Sequence, residues 1–503
     1  MSTHSFYRRK SRAYKTKTGS LISSFNGFAR FGEEFIDYGE CLECGKKNTG
    51  FNWCQSCNSK HFRNCFLQWS SGNREIDKFI RNSQIFATSR DCVLDWIPYN
   101  QLTSFRILGR GGFGIVQRAT WLEGQIDQII GWNYLQRKWE RHGRTRVSIK
   151  VLDNSRDIKV DYFHEMMPIF GTNSLSEKLL FHHIRYLGIT RNPATQKYAI
   201  VMQYIEQGNL RNYLEKNYSI MNWERKLFIL QYVAKGLKIL HEADIIHRNL
   251  HSGNILIHNN LPLISDTGMC RPANKLVQSD KNEIYGVIPF MAPELLKTGK
   301  YSKETDIYSF GLIIWEICAN HPPLNEHSHD TNLAMDICLG ERPPIPEDTP
   351  KSLITLIKSC LDAIPENRPS VAELFNNLNS WYLDLSQINR TEYYFEYKLA
   401  DRLRLKGLNK CSKKPFVKNH PEACYRSRLL NFPNLPKPIN DKFGDVKLSL
   451  ENFMRVSTRY EDADDDSNEE ISDVEEYLDD LIERVKAFGK SKEIFKKIDN
   501  STS

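Results

Sequence analysis

The chain has 503 residues, 40% of them hydrophobic and 26% charged, and 69 Lys and Arg against 61 Asp and Glu give a net charge of +8. These are ordinary globular proportions, enough for a sizeable core and, at about 150 residues per domain, for more than one of them. No apolar run approaches the roughly 18 residues of a membrane helix, and no signal-type apolar stretch stands near the start, so the expected compartment is the cytoplasm, with the nucleus as the alternative, and disulfides are not expected there.

The charge is placed unevenly. Residues 1–32 carry seven Lys and Arg and no acid, and residues 461–480 carry twelve Asp and Glu and no base. Such blocks read as solvated, unfolded arms, so residues 1–35 are expected to form a basic disordered lead. Residues 36–96 form a small unit rich in Cys and aromatics. In it, Cys41, Cys44, Cys54 and Cys57 make two CxxC pairs nine residues apart. Four thiolates in two such knuckles suit a tetrahedral structural Zn²⁺. The gap is shorter than the common spacing of about 15–20 residues, so four buried or reactive thiols are the alternative. His61 and Cys65 are spare candidate ligands.

Residues 97–382 form the main domain. Its first part has strand-type runs (FRILGR, FGIVQRAT, VSIKVL), and residues 121–146 interrupt them with Trp121, Trp132, Trp139 and five Lys and Arg. This insertion reads either as a docking surface or as an elaboration packed on its own tryptophans. Beyond about residue 208, apolar residues recur at three- and four-residue spacing, the helical period. Strands first and helices after give an α+β, two-lobed architecture. Residues 383–503 read as a mostly disordered charged tail with a Pro-punctuated stretch, FPNLPKPIN. Residues 472–498 could form an amphipathic helix, acidic at its start and basic at its end as the helix dipole favours. Ser467 and Ser472 precede acids, as targets of acidophilic kinases do, or belong to plain solvated charge.

The motifs lie in the main domain. Gly109-Arg-Gly111-Gly-Phe-Gly114-Ile-Val116 lies between two strand-type runs. Glycines let backbone N–H groups approach phosphates. A dinucleotide fold needs a helix after them, and a strand pattern follows instead, which suits a hairpin lid over a nucleotide. Lys150 in VSIK comes next, then a segment containing Glu165. His247-Arg248-Asn249-Leu-His251-Ser-Gly-Asn254 follows a long apolar helix, and after it come Asp266-Thr267-Gly, Met-Ala-Pro-Glu294 and Asp306-Ile-Tyr-Ser-Phe-Gly.

In this order the motifs are those of a protein kinase. The chain from about residue 99 to 382 resembles the protein-kinase superfamily, most closely its tyrosine-kinase-like group, and with the Cys-rich unit ahead of it the layout is similar to a family expanded in certain fungi. The resemblance implies a β-rich N-lobe, an α-helical C-lobe, and ATP and Mg²⁺ as cofactors, with Zn²⁺ in the Cys unit. It implies that Gly109, Gly111 and Gly114 cover ATP and that Val116 packs on adenine. Lys150 would hold the phosphates and pair with Glu165, and Met202 would be the gatekeeper before a hinge at Gln203–Gly208. Asn254 and Asp266 would ligate Mg²⁺, hard oxygen donors for a hard cation. Glu294 would pair with Arg368, Asp306 would brace the catalytic loop, and Arg248 would receive a phosphorylated activation loop, where Ser279 and Tyr285 are candidates. The Cys unit would serve protein partners rather than nucleic acid.

The departures decide the functional reading. Asn249 stands where active kinases carry the Asp that takes the substrate hydroxyl's proton. A general base is typically worth about 10²–10⁴-fold, so a usual turnover of about 1–100 s⁻¹ would fall to roughly 10⁻⁴–1 s⁻¹. His251 replaces the Lys of Ser/Thr kinases, where partial protonation could help. Thr267 replaces a Phe, and Val287 the substrate-site Thr. The chain therefore reads as an ATP–Mg²⁺-binding pseudokinase scaffold. The alternatives are a weakly active Ser/Thr or Tyr kinase, and a zinc-dependent adaptor whose kinase domain is purely structural.

Overall fold

The computed structural model describes residues 37–111, 114–152, 179–266, 271–272, 284–386, 391–410 and 419–440. The basic lead, Glu165, Thr267, Ser279, Ser467, Ser472 and the 472–498 helix fall outside them.

The small lobe is a six-stranded sheet in the order β1-β7-β8-β6-β3-β2. Its strands are β1 (Asp95–Trp96), β2 (Leu102–Gly111), β3 (Gly114–Trp121), β6 (Thr145–Leu152), β7 (Tyr186–Arg191) and β8 (Tyr198–Gln203). All neighbours are antiparallel except β1 and β7, which run parallel. The period of two sorts β8 onto both faces. Ala199 and Val201 join Ala119, Val147 and Ile149 on one side, while Tyr198, Ile200 and Met202 face the other.

That other face is covered by the Cys-rich unit. Helix α1 (Gln55–Cys65) precedes α2 (Arg74–Phe86), whose N-terminus is capped by the Asn73 side chain accepting from the Glu75 and Ile76 N–H groups. Ile76, Phe79 and Ile80 recur at helical spacing and are buried against Tyr186, Ile189, Ile200 and Met202. Each such side chain contributes about 1.5–3 kcal/mol when fully buried. The unit is thus built into the small lobe. Its other side holds the insertion, where β4 (Trp132–Asn133) pairs with β5 (Lys138–Trp139). Trp139 stacks on Trp53 at 5.8 Å and on Phe62 at 4.4 Å, and Trp132 stacks on His61 at 4.1 Å. Trp132 and Trp139 also meet edge to face at 5.2 Å. Within the insertion Trp132 and Trp139 thus pack on each other, as the self-packed alternative expects, and both also pack on the Cys-rich unit.

The helical lobe contains α3 (Leu210–Asn217), α4 (Trp223–Glu242), α5 (Pro293–Thr298), α6 (Lys303–Ala319), α7 (Thr331–Cys338), α8 (Lys351–Cys360) and α9 (Val371–Ser386). Helix α6 starts at a Ser302–Thr305 capping box, is buried on nearly every side, and ends at Asn320 in the left-handed conformation. A helix apolar all round belongs at the centre of a core. Next to the cleft between the lobes, ILIHNNLPLI reads in sequence as one strand-type run. The chain instead folds back at Asn259 and Asn260, both with positive φ, into a hairpin of β9 (Ile255–His258) and β10 (Leu261–Ile264). Two consecutive left-handed residues are what a tight hairpin turn demands, and Asn tolerates them.

The expectation of an unpacked tail after residue 383 is corrected over two stretches. Helix α10 (Glu392–Lys410) buries Tyr397 against Trp223 and Trp381, and Asp401 accepts the Trp223 N–H at 3.1 Å. Residues 419–440 also lie on the helical lobe, where β12 (Arg428–Leu430) pairs with β11 (Ile284–Gly286). Among the described residues, no helix is long and apolar enough to cross a membrane.

Arg368 is fully buried and forms two 2.7 Å bonds to the Glu294 carboxylate. Removing one partner of such a pair typically costs about 3–5 kcal/mol. Arg368→Ala is expected to destabilise the helical lobe by that amount, read as a fall in urea midpoint; an unchanged midpoint would contradict it.

Candidate functional site

The cleft between the lobes gathers most of the sequence-selected residues that the structure describes. Lys150 lies on β6 opposite Val116 of β3, and Val116 in turn lies opposite Gly109 of β2. This cross-strand row puts a cation, an apolar side chain and a glycine in register. A Cβ added at Gly109 would meet nothing within 4 Å. Protein packing therefore does not require a glycine there. The open space suits a ligand close to the backbone. Lys150 Nζ is bonded directly to the Asp266 carboxylate across the cleft. Burial pushes the Asp266 carboxyl up, but the Lys150 ammonium beside it outweighs that and holds it below its ordinary value.

Asp266 has a φ of +60° and Arg248 of +70°. A non-glycine residue held left-handed carries local strain, and the surroundings must over-determine it. For the catalytic loop they do so through Asp306, buried at the start of α6. Its carboxylate accepts the backbone N–H groups of His247 at 2.8 Å and Arg248 at 2.9 Å, and lies 2.9 Å from His241 Nε2. His247 accepts the Asn249 N–H on Nδ1 at 3.3 Å, so its Nε2 carries the proton and donates to the Ser265 carbonyl at 3.1 Å. Asn254 donates to the Asn249 carbonyl at 2.8 Å, and its own carbonyl accepts from Ser265 N–H and Oγ.

Asn249 points into the cleft. Its amide nitrogen donates to Asp266 Oδ2 at 3.2 Å, and its amide oxygen accepts from Ser427 Oγ at 2.9 Å. His251 faces the same hydroxyl, with Nε2 at 3.1 Å from Ser427 Oγ. Because His251 Nδ1 accepts the Gly253 N–H at 3.1 Å, the ring proton is on Nε2 and His251 is the donor. The Ser427 hydroxyl thus donates to an amide and accepts from a neutral imidazole, and neither contact is basic. Burial, and then the nearby Arg211 guanidinium, push His251 down to about 3. The expected help from a partly protonated His251 is therefore corrected: the ring is neutral at physiological pH.

Arg248 lies with its guanidinium 4.0 Å from the Tyr301 ring centroid, and the Tyr301 hydroxyl donates to the Tyr285 carbonyl and accepts the Tyr285 N–H. Met202 is buried beneath α2, and β8 ends one residue later at the connection between lobes, where Gly208 has a φ of +75°. Several residues of the site carried no sequence signal. Arg211 bonds Glu316 at 3.0 Å and Ser252 at 2.9 Å. His241 and Ser427 come from distant segments. The run YRSRLL around Ser427 could have been singled out as a serine between arginines, but its register on the cleft depends on the fold.

A second cluster lies in the Cys-rich unit. The sulfurs of Cys41, Cys44, Cys54 and Cys57 all lie within 4.8 Å of one another. Cys41 and Cys57 are 3.8 Å apart and Cys44 and Cys54 3.7 Å. Disulfide sulfurs would be about 2.05 Å apart, whereas a tetrahedron with Zn–S bonds of about 2.3 Å has edges near 3.8 Å. The donor set and its size therefore fit zinc. The backbone N–H of Lys46 beside Cys44 pulls that thiol down to about 7, whereas burial pushes the Cys54 and Cys57 thiols up. Cys65 is not in this group, and His61 is paired with Glu43 at 2.9 Å under the Trp132 ring.

Five buried histidines are expected to set the acid limit of the fold. Burial pushes His182 down to about 4 and His251 to about 3, and lowers His183, His247 and His329 as well. In the unfolded chain each returns to 6.5. The unfolded state then binds more protons below that value, so the stabilisation is complete above about pH 6.5 and is lost as pH falls toward 4. One unit below 6.5, each neutral histidine costs about 1.4 kcal/mol. Denaturant midpoints at pH 7.5 and 5.5 check this; equal midpoints would contradict it.

A β-sheet small lobe, a helical large lobe, a glycine hairpin, a cleft Lys–Asp contact and an Asp-braced loop together define a protein-kinase-type fold. A family model for protein tyrosine and serine/threonine kinases matches residues 102–378, more than half of the chain, and the chain belongs to that family. A probable LIM domain-containing serine/threonine-protein kinase of Dictyostelium discoideum is 31% identical over 210 residues, 42% of this chain and 29% of the relative. The dual specificity protein kinase shkC of the same organism is 30% identical over 203 residues, 39% of this chain and 40% of the relative. The mitogen-activated protein kinase kinase kinase dlk-1 of Caenorhabditis elegans is 31% identical over 306 residues, 59% of this chain and 28% of the relative. The matches thus span less than half the length of these relatives.

Proposed function

We infer that the protein binds ATP–Mg²⁺ in the cleft and acts in signalling chiefly as a pseudokinase scaffold, with phosphoryl transfer strongly reduced. Lys150 and Asp266 are the residues that would hold the phosphates and the cation, with Asn254 beside them as the second metal ligand. Bound Mg²⁺ would supply charge neutralisation at the phosphates. Gly109, Gly111 and Gly114 would cover the nucleotide, and Val116 would pack on its base.

One observation carries the catalytic part of this reading: the hydroxyl of Ser427, set against the catalytic loop, meets the amide oxygen of Asn249 and the N–H of His251. Phosphoryl transfer needs positioning and charge stabilisation more than basicity, so the arrangement retains orientation and loses the proton acceptor. The placed serine hydroxyl also favours a second reading, a weakly active kinase with Ser/Thr preference.

Transfer of labelled phosphate from ATP by the full chain, with Asp266→Ala as the blank, tests the reading. A native rate at or near the blank supports it. A native turnover in the usual kinase range of about 1–100 s⁻¹ would refute it.

A further inference from the structure

The stretch from residue 419 to 440 crosses the helical lobe over the catalytic loop, and it is held at both ends. His420 N–H donates to the Asn325 carbonyl at 2.8 Å, and Cys424 N–H to His329 Nδ1 at 3.0 Å. At the far end Ile439 N–H donates to the Cys338 carbonyl at 3.0 Å, and the Asn440 side chain accepts from Ala363 N–H at 2.6 Å. Leu430 and Leu435 are buried in the main core. Tyr425 lies over the Arg211 guanidinium at 4.4 Å, and its hydroxyl donates to the Pro323 carbonyl at 2.8 Å.

Between these anchors the strap forms an added strand. Arg428, Leu429 and Leu430 pair antiparallel with Gly286, Tyr285 and Ile284, just before the Met-Ala-Pro-Glu294 segment. Strand addition of this kind fixes register through the backbone, and pockets for alternate side chains give specificity. The register leaves Ser427 buried between Asn249 and His251, with both of its hydrogen bonds directed at the catalytic loop. A strap whose role was packing alone would have no use for a hydroxyl at that one position, where an apolar side chain would avoid burying polar atoms.

We propose that residues 419–440 are an intramolecular peptide seated in the acceptor groove, with Ser427 in the acceptor position, and that other peptides enter only when the strap leaves. The groove would then take serine-bearing strands with an aromatic residue two positions before the serine, basic residues on either side of it and leucine-like residues after them. This rests on the reading of the Asn249 loop as the place of phosphoryl transfer. A tethered segment competes at an effective concentration in the millimolar range, so the native chain should capture such a peptide poorly.

The first test is binding of a fluorescent peptide with the sequence of residues 419–440 to the full chain. Tyr425→Ala with Leu430→Asp detaches the strap from two anchors, and Ser427→Trp, made separately, wedges it out at its centre. Each variant is expected to bind the peptide at least about 10-fold more tightly than the native chain, by relief of that competition. If neither does, the proposal is wrong. The second test incubates the full Asn249→Asp chain with ATP and Mg²⁺ and locates the phosphate by mass spectrometry. Ser427 Oγ would bond to the γ-phosphorus, its proton would pass to the new carboxylate, and ADP would leave. Phosphate on Ser427, acquired at a rate independent of chain concentration, supports the proposal. Phosphate confined to other residues overturns it. Peptide capture by the strap variants without any transfer in Asn249→Asp would uphold the strap and refute the catalytic reading.

Discussion

Asn249→Asp should increase phosphoryl transfer by about 10²–10⁴-fold over the native chain, the usual worth of a positioned general base. The count should include phosphate on the chain itself, because Ser427 already occupies the acceptor position 2.9 Å from the Asn249 amide oxygen. The physical condition for the gain is a bound cation. The Asn249 amide nitrogen donates to Asp266 Oδ2 at 3.2 Å, and a carboxylate in its place would face another carboxylate. Lys150 offsets part of that repulsion, and two carboxylates that close both ionise readily only with further positive charge between them. The gain should therefore be large at saturating Mg²⁺ and small at low Mg²⁺. Equal rates for native and Asn249→Asp at saturating Mg²⁺ would mean that the missing base is not what limits the chain.

Metal removal should have the largest effect on stability. The four sulfurs of Cys41, Cys44, Cys54 and Cys57 sit at zinc spacing. Structural zinc contributes about 10–16 kcal/mol in small zinc peptides, which matches or exceeds the total stability of an ordinary domain, about 5–15 kcal/mol. Chelation or Cys57→Ser should therefore unfold the 37–65 region. The damage should spread, because α2 buries Ile76, Phe79 and Ile80 against β7 and β8, and Trp139 stacks on Trp53 and Phe62. Amide exchange should accelerate in α2 and in β1, not only around the cysteines, and metal analysis should find one zinc per chain. A metal-free chain with unchanged exchange at Ile76–Ile80 would contradict this.

The parts of the fold readable from sequence were those carried by local chemistry. The glycine hairpin, the strand-type runs, the helical period after residue 208 and the CxxC pairs each announce themselves through residue type and spacing. What could not be read depended on long-range packing. Nothing local says that Trp132 and Trp139 meet the Cys-rich unit, since aromatic contacts between segments some 70 residues apart follow from the sheet and not from the sequence around them. The Asn259-Asn260 turn was in principle readable from its residue types, but flanking apolar residues made one run look continuous. Residues 419–440 read as tail because their polar and Pro-rich composition resembles a solvated segment. Their order comes from a strand partner, Ile284–Gly286, about 140 positions earlier in the chain. At the site, Lys150, Asn249, Asn254 and Asp266 were found by motif, whereas Ser427 lacked one because its position is set by β-register.

Equilibrium titration of the full native chain with ATP, in Mg²⁺ and in a chelator too weak to strip the Cys-rich unit, tests the central claim most directly. The account predicts saturable, Mg²⁺-dependent binding that Lys150→Ala and Asp266→Ala each abolish, in a chain that transfers little phosphate. Absence of nucleotide binding by the native chain, with the fold intact by thermal melting, would contradict it and leave the zinc-dependent adaptor as the reading.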